Sequence, residues 1–400
     1  MHIYVNYSVK EIIEKIDDNI HTPEIDYMYT AIETYRSDYE RRVERALHRL
    51  WQEKPENAMR WIHESVDEAI RPYVIQGFRG EIYNVLMRNE TKWKTISDIG
   101  ILVEEAPPKQ ESDYQYWKSV WEPSIERMKS YDLPFFETHA HYNLPDYDKV
   151  RTALLTDLLE SGVKQCVVPS IEYDTIFYMR RELEQYDFIK YAFGSHPKYI
   201  YKENWTQEKW EQFSLLLEDK RCVALGEVGL DYSYVIFDEK HREIQMNLFD
   251  AFVKVANEKN LPMILHIRPA AEHSQPYDVN RDAMQILRNN EMKKGAVFHC
   301  FGGSPCDVRE YMDLGITHFG IGGRLLKEAS EQLEQAVFYM PEEAILLETD
   351  SPYIRVKKER IPNTSFALVD IAQRIAQIRG ISVHHVINLS FRNACQFFGL

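Results

Sequence analysis

The stretch Phe135–His141 reads FFETHAH: two aromatic residues, an acid, and His139 and His141 one residue apart. Side chains alternate between the faces of a β-strand, so imidazoles at i and i+2 point the same way. Neutral imidazoles paired in this manner suit zinc, manganese or a related divalent ion. One core histidine beside one loop histidine is the ordinary alternative, and the rest of the chain decides between the two.

From Leu133 onward, apolar strand-like runs alternate with helical periodicity. The runs are Phe135–His139, Lys164–Pro169, Tyr191–Ser195, Val223–Val228, Met263–Ile267, Ala296–Cys300, His318–Ile321 and Ile345–Glu348. Helical segments fit between them, and a last pair, Phe366–Arg379 and Val383–Phe398, follows. Eight strands with intervening helices predict an α/β fold of the (β/α)8, TIM-barrel type, although an open doubly wound sheet gives a similar alternation. The strand ends favour the barrel. They carry ETHAH, GSHP, GEVGLD, LHIR, FHCFGG and ETDSP, mostly residues of metal-ligand type. In a barrel these ends share one face, where active sites lie.

Glu227 follows an apolar run between glycines. A buried acid there needs a cation or hydrogen-bond donors, and a carboxylate bridging two metals meets that need. His266 and His299 end neighbouring strands and supply nitrogen ligands for a second ion. Asp350 can both bind a metal and accept a proton from water. Arg268 and Gly303 are candidate substrate contacts, and His196 a candidate contact to substrate or leaving group. Asp231 and Glu348 read as residues that orient the ligands. Gly302, Gly303, Gly322 and Gly323 mark tight backbone but fit neither a Walker nor a Rossmann fingerprint.

The 400 residues carry 48 basic and 63 acidic side chains, a formal charge of -15, which gives no general attraction to a phosphate backbone. Metal ions could reverse that sign locally. Five scattered cysteines make neither a disulfide framework nor a thiolate zinc cluster. The N-terminal stretch lacks signal-peptide character, and no apolar run approaches the length of a membrane span. A cytoplasmic protein is the expectation. Residues 1–130 read as a mainly helical accessory domain, with Ile99–Glu122 as its edge or connector, and residues 131–400 as a hydrolase barrel. Arg41, Arg42, Arg45 and Arg49 alternate with Glu40 and Glu44, the pattern of a solvated helix face. This region is a candidate surface for a protein partner or for self-association.

Taken together, ETHAH, GSHP, ALGEVGLDY, the helix containing Gln245, LPMILHIR, VFHCFGGS, LGITHFGIGG and LLETDSPY resemble the TatD-type metal-dependent deoxyribonucleases of the amidohydrolase superfamily. The resemblance covers about residues 133–400 and implies a (β/α)8-type barrel. It also implies two divalent ions (Mg, Mn, Zn or similar). One would be held by His139, His141 and Asp350, the other by His266 and His299, with Glu227 bridging. The implied activity is phosphodiester hydrolysis of DNA, often from a 3′ end, with Asp350 taking a proton from the attacking water and Glu227 and His196 assisting. Four departures stand out within it. Glu137 replaces the family's usual Asp, Ser195 stands where an aliphatic residue is usual, Pro269–Asn280 lengthens a loop, and RIPNTSFAL stands where an R-N-x-P-type sequence is usual. Hydrolysis of another ester, lactone or amide, or a binding role with vestigial activity, are the competing readings.

Overall fold

A computed structural model of the chain describes residues 114–200, 203–233, 238–270, 276–327, 331–359 and 361–400. The helical accessory region expected from sequence lies outside the described residues as far as residue 113.

Eight parallel strands run in sequence order: β1 Phe135–Glu137, β2 Val163–Pro169, β3 Ile189–Phe193, β4 Cys222–Asp231, β5 Met263–Arg268, β6 Ala296–Phe298, β7 Ile316–Ile321 and β8 Ile345–Leu347. Each pairs with the next, an order that suits a barrel rather than the doubly wound sheet. The segment after β1 returns to β8: Thr138 N donates to Leu347 O at 3.1 Å, and His141 N to Ser351 O at 2.7 Å. The sheet is thus the core of a TIM-type barrel.

Strands β1, β6 and β8 stop earlier than their apolar runs suggest. Cys300 and Asp350 adopt φ of 51° and 55°, which turns the chain out of the ladder just where site residues begin. Strand β4 instead outlasts its expected run, because Leu230 and Asp231 stay in register with Ile267 and Arg268.

Inside the sheet, Phe136, Val167, Ala192, Ala224, Ile264, Val297 and Leu346 form one core, closed by Phe397 and Phe398. Those phenylalanines come from α10 (Val383–Phe398), capped by the Ser382 side chain and ended by Gly399 at φ 71°. Asn393 of α10 donates to Glu342 O and Ile345 O, which fixes the helix against the start of β8, at the end opposite the site.

A larger apolar shell lies between the sheet and the outer helices α2 (Arg151–Glu160), α3 (Ile176–Leu183), α4 (Gln207–Leu216), α5 (Glu239–Lys259), α6 (Val279–Asn289), α7 (Pro305–Met312), α8 (Glu331–Tyr339) and α9 (Leu368–Arg379). Preceding them is α1 (Tyr114–Tyr131), so part of the stretch read as a connector is helix. Its buried residues Trp117, Trp121, Ile125 and Met128 follow helical spacing and join that shell. Tyr114 and Lys118 bond Asp157 of α2, while Ser124 and Arg127 bond Asp370 of α9. The helix therefore ties α2 to α9, and the compact unit it joins spans Gln110–Leu400. Among the described residues, no helix is long and apolar enough to cross a membrane.

Candidate metal centre

The opening histidine pair lies just beyond β1, in an extended segment pinned on both sides. Ala140 N donates to Val167 O, His141 N to Ser351 O, and Asp350 N to His139 O. This lacing brings the Nε2 atoms of His139 and His141 to 3.2 Å of each other. Glu227, from β4, extends Oε2 to 3.4 Å from His139 Nε2 and 3.8 Å from His141 Nε2. Asp350 Oδ1 lies 3.4 Å from His141 Nε2 and 3.8 Å from His139 Nε2. Donors about 2.0–2.1 Å from one ion at tetrahedral angles are about 3.4 Å apart, so these spacings suit a single divalent cation. Glu227 Oε2 is buried without a hydrogen-bond partner, and both histidines are buried too. Such an oxygen facing two imidazole nitrogens and a second carboxylate calls for a cation.

The other oxygen of Glu227 faces a second group. Oε1 lies 2.7 Å from His266 Nδ1, and 3.6 Å from both His196 Nε2 and His299 Nε2. His299 stands between the two groups, with Nε2 also 3.9 Å from Asp350 and its ring stacked on His139 at 3.5 Å. Glu227 thus has one oxygen in each group, the geometry of a bridge. His139, His141 and Asp350 converge within 4.8 Å, and Glu227 and His266 converge likewise beside His196, an arrangement positioned to coordinate metal ions and consistent with a two-metal site.

Neighbouring acids orient the donors. Glu348 Oε1 sits 3.1 Å from His299 Nδ1 and accepts from Cys300 N at 2.6 Å, which leaves His299 Nε2 toward Glu227. Asp231 Oδ2 lies 3.2 Å from His266 Nε2, and its backbone is gripped by Gln245. Gly320 makes room for Glu348: a Cβ there would fall 1.9 Å from the carboxylate. Burial raises Glu227, yet the imidazoles of His196, His139 and His299 hold its carboxyl well below the usual range. Burial likewise opposes ionisation of Asp350, and His299 with the histidine pair outweighs it. Burial depresses His196 to about 3, so that ring is neutral. Its Nδ1 accepts from Lys198 N at 3.0 Å, which puts the proton on Nε2.

The residues singled out in sequence do not all meet here. Arg268, at the exposed end of β5, lies past His266 on the same strand. Gly303 packs against Phe301 and Asp307 where α7 begins, beside the capping box of Ser304 and Asp307. Glu137 turns away from the ligand atoms and accepts from His139 N, Thr349 N, Thr349 Oγ1 and Ser365 Oγ. In the RIPNTSFAL stretch, Asn363 braces Thr349 O and Ser365 reaches Glu137, so these two serve the same brace. Residues 271–275 of the lengthened loop lie outside the described residues. Sequence reading missed Thr349 and Ser365, whose hydroxyls signal nothing without a fold. It also missed Arg324, a basic residue directly after the glycine pair at the end of β7.

The chain is 29% identical over 265 residues to YabD of Bacillus subtilis, an uncharacterized metal-dependent hydrolase, covering 66% of this chain and 98% of that protein. It is 28% identical over 292 residues to the deoxyribonuclease TATDN3 of Homo sapiens, covering 68% and 97%. The fold resembles that of YJJV, a TatD homolog from Escherichia coli K12, with a TM-score of 0.58 and 24% identity over 66% of this chain and 98% of that one. The model of the family described as TatD related DNase matches residues 136–399. Through that match the chain belongs to the TatD-related DNase family and is a metal-dependent hydrolase.

Proposed function

We propose that the chain is a deoxyribonuclease that cuts phosphodiester bonds in single strands or at strand ends. His139, His141 and Asp350 would hold one divalent ion, His266 and His299 a second, with Glu227 facing both. The observation that carries this reading is the buried Glu227 carboxylate, with one oxygen turned to each donor group. When bound, the ions supply Lewis-acid polarisation of a phosphoryl oxygen and lower the pKa of water. Asp350, held ionised by its histidine neighbours, accepts the proton as water attacks phosphorus. His196, with Nε2 as its donor, hydrogen-bonds the departing oxygen. Arg268 and the loop at Gly303 contact the phosphate on the substrate side.

Human TATDN3 is named a deoxyribonuclease, which supports the substrate class. A recessed site suits a frayed end better than an intact duplex. The region ahead of α1, residues 1–109, is an accessory domain that engages a protein partner or a second copy. Scattered, unpaired cysteines among the described residues suit a reducing cytoplasm. The test is hydrolysis of 3′- and 5′-labelled single-stranded DNA with Mn²⁺ or Mg²⁺, beside RNA and a carboxylic ester. DNA cleavage from one end is the expected result. Ester cleavage without nucleic-acid cleavage would move the chain to carbonyl chemistry.

A further inference from the structure

Arg324 is exposed, and its guanidinium donates from Nη1 to the carbonyl of Cys300 at 3.3 Å and also hydrogen-bonds the Cys300 thiol. Among the described residues it forms no ion pair. A solvated arginine is common on a surface, but this one is held at a particular spot. Cys300 directly follows His299, and its φ of 51° lets its N–H serve Glu348 while its carbonyl serves Arg324. Gly302 gives the guanidinium its bed. A Cβ on that residue would lie 3.0 Å from both Cζ and Nη1 of Arg324. Backbone features of the loop after β6 therefore aim a planar cation at the rim of the donor cluster. Its hydrogen bonds go to Cys300, at the carbonyl and at the thiol, and a five-donor guanidinium so held keeps further N–H groups for a ligand.

Topology adds a second cation. Strands β5, β6 and β7 are neighbours, so Arg268 at the end of β5 and Arg324 just past β7 flank the strand that leads to His299. Ions held by the donor cluster would offset the charge of the phosphate under attack, and the next phosphate along a strand would lie beyond them. In a chain of formal charge -15, a phosphate beyond the ions needs a local cation. Arginine, whose fork matches phosphate oxygens in a bidentate contact, suits that need.

We propose that Arg324 grips the phosphate adjacent to the scissile one and thereby makes the site select polynucleotide strands over isolated phosphodiesters. This rests on the phosphodiesterase reading and adds to it a requirement for two consecutive phosphates.

The test compares wild type, Arg324→Ala, Arg324→Lys and Gly302→Ala on labelled dT10 and on bis(p-nitrophenyl) phosphate, with Mn²⁺ across a salt series. A charge-assisted phosphate contact corresponds to a change of about tenfold or more. For Arg324→Ala the KM for dT10 should rise by about that factor with kcat little altered, and the rise for bis(p-nitrophenyl) phosphate should be several-fold smaller. The dependence of log KM on log salt should become shallower by about one phosphate contact. Lysine should restore part of the loss, and Gly302→Ala, by displacing the guanidinium, should raise the KM for dT10 in the same direction. Equal losses on both substrates, an unaltered dT10 KM, or an unaltered salt slope would overturn the role of Arg324 while the phosphodiesterase reading stands. If wild type hydrolyses neither substrate, that reading falls first, and the role of Arg324 falls with it.

Discussion

Glu137 shows how one methylene is used at the residue scale. Its buried carboxylate accepts two N–H and two O–H donors, joining the segment after β1 to Thr349, at the end of β8, and to Ser365. Burial pushes this carboxyl up to about 8, and the donors from Thr349, Ser365 and His139 act against that rise. Two of the residues it holds, His139 and Thr349, are a metal-ligand candidate and the neighbour of another. Glu137→Ala should therefore weaken Mn²⁺ binding by about 10–100-fold, the usual cost of removing an outer partner of metal ligands. It should also cost about 1–3 kcal/mol for each donor left buried and unsatisfied. A metal titration and a urea unfolding curve read the two effects separately. Unfolding stability that drops with metal affinity intact would mean the residue serves the fold alone. The departure at this position was plain in the sequence. Its meaning was not, because Thr349 and Ser365 come close to Glu137 only in the folded barrel.

At the scale of elements, α1 carries the least expected packing. Trp121, buried and 6.3 Å from Phe366, should cost about 3–5 kcal/mol on replacement by alanine, measured by chemical denaturation. A change of less than about 1 kcal/mol would show that α1 adds little to the barrel. Strand β7 offers a pH test. Its His318 packs on Phe397 at 4.5 Å, and burial depresses it from 6.5 to about 4. The folded state favours the neutral ring, whereas the unfolded chain binds a proton below pH 6.5. The contribution is therefore fully present above 6.5, is lost as pH falls toward 4, and changes no further below that. In His318→Gln, stability should vary less between pH 6.5 and 4 than in wild type, as followed by Tm. An identical slope in both proteins would count against this account. The strands themselves were legible, since each apolar run became one. Their ends were not, because the left-handed turns at Cys300 and Asp350 leave no mark in apolarity. The helical spacing of Trp117, Trp121, Ile125 and Met128 was present in the sequence too, but the neighbouring APPKQESD drew the reading toward a connector.

On the scale of the whole molecule, an acidic protein is assigned a polyanionic substrate, and the conflict is resolved at one place. Histidines and acids from the ends of β1, β4, β5, β6 and β8 converge there, and only a closed parallel sheet gathers them. The sequence order of these motifs was enough to propose the donor set. It could not reveal that His266 lies between Glu227 and Asp231, or that Arg324 stands at the rim. The central claim is that two ions bridged by Glu227 drive hydrolysis. Its most direct measurement is titration of the metal-stripped protein with Mn²⁺ while cleavage of labelled single-stranded DNA is followed, beside His139→Ala/His141→Ala. Activity should rise from near zero and saturate at two equivalents of metal, and the double variant should remain inactive. Full cleavage by the stripped protein, or by the double variant, would contradict the account.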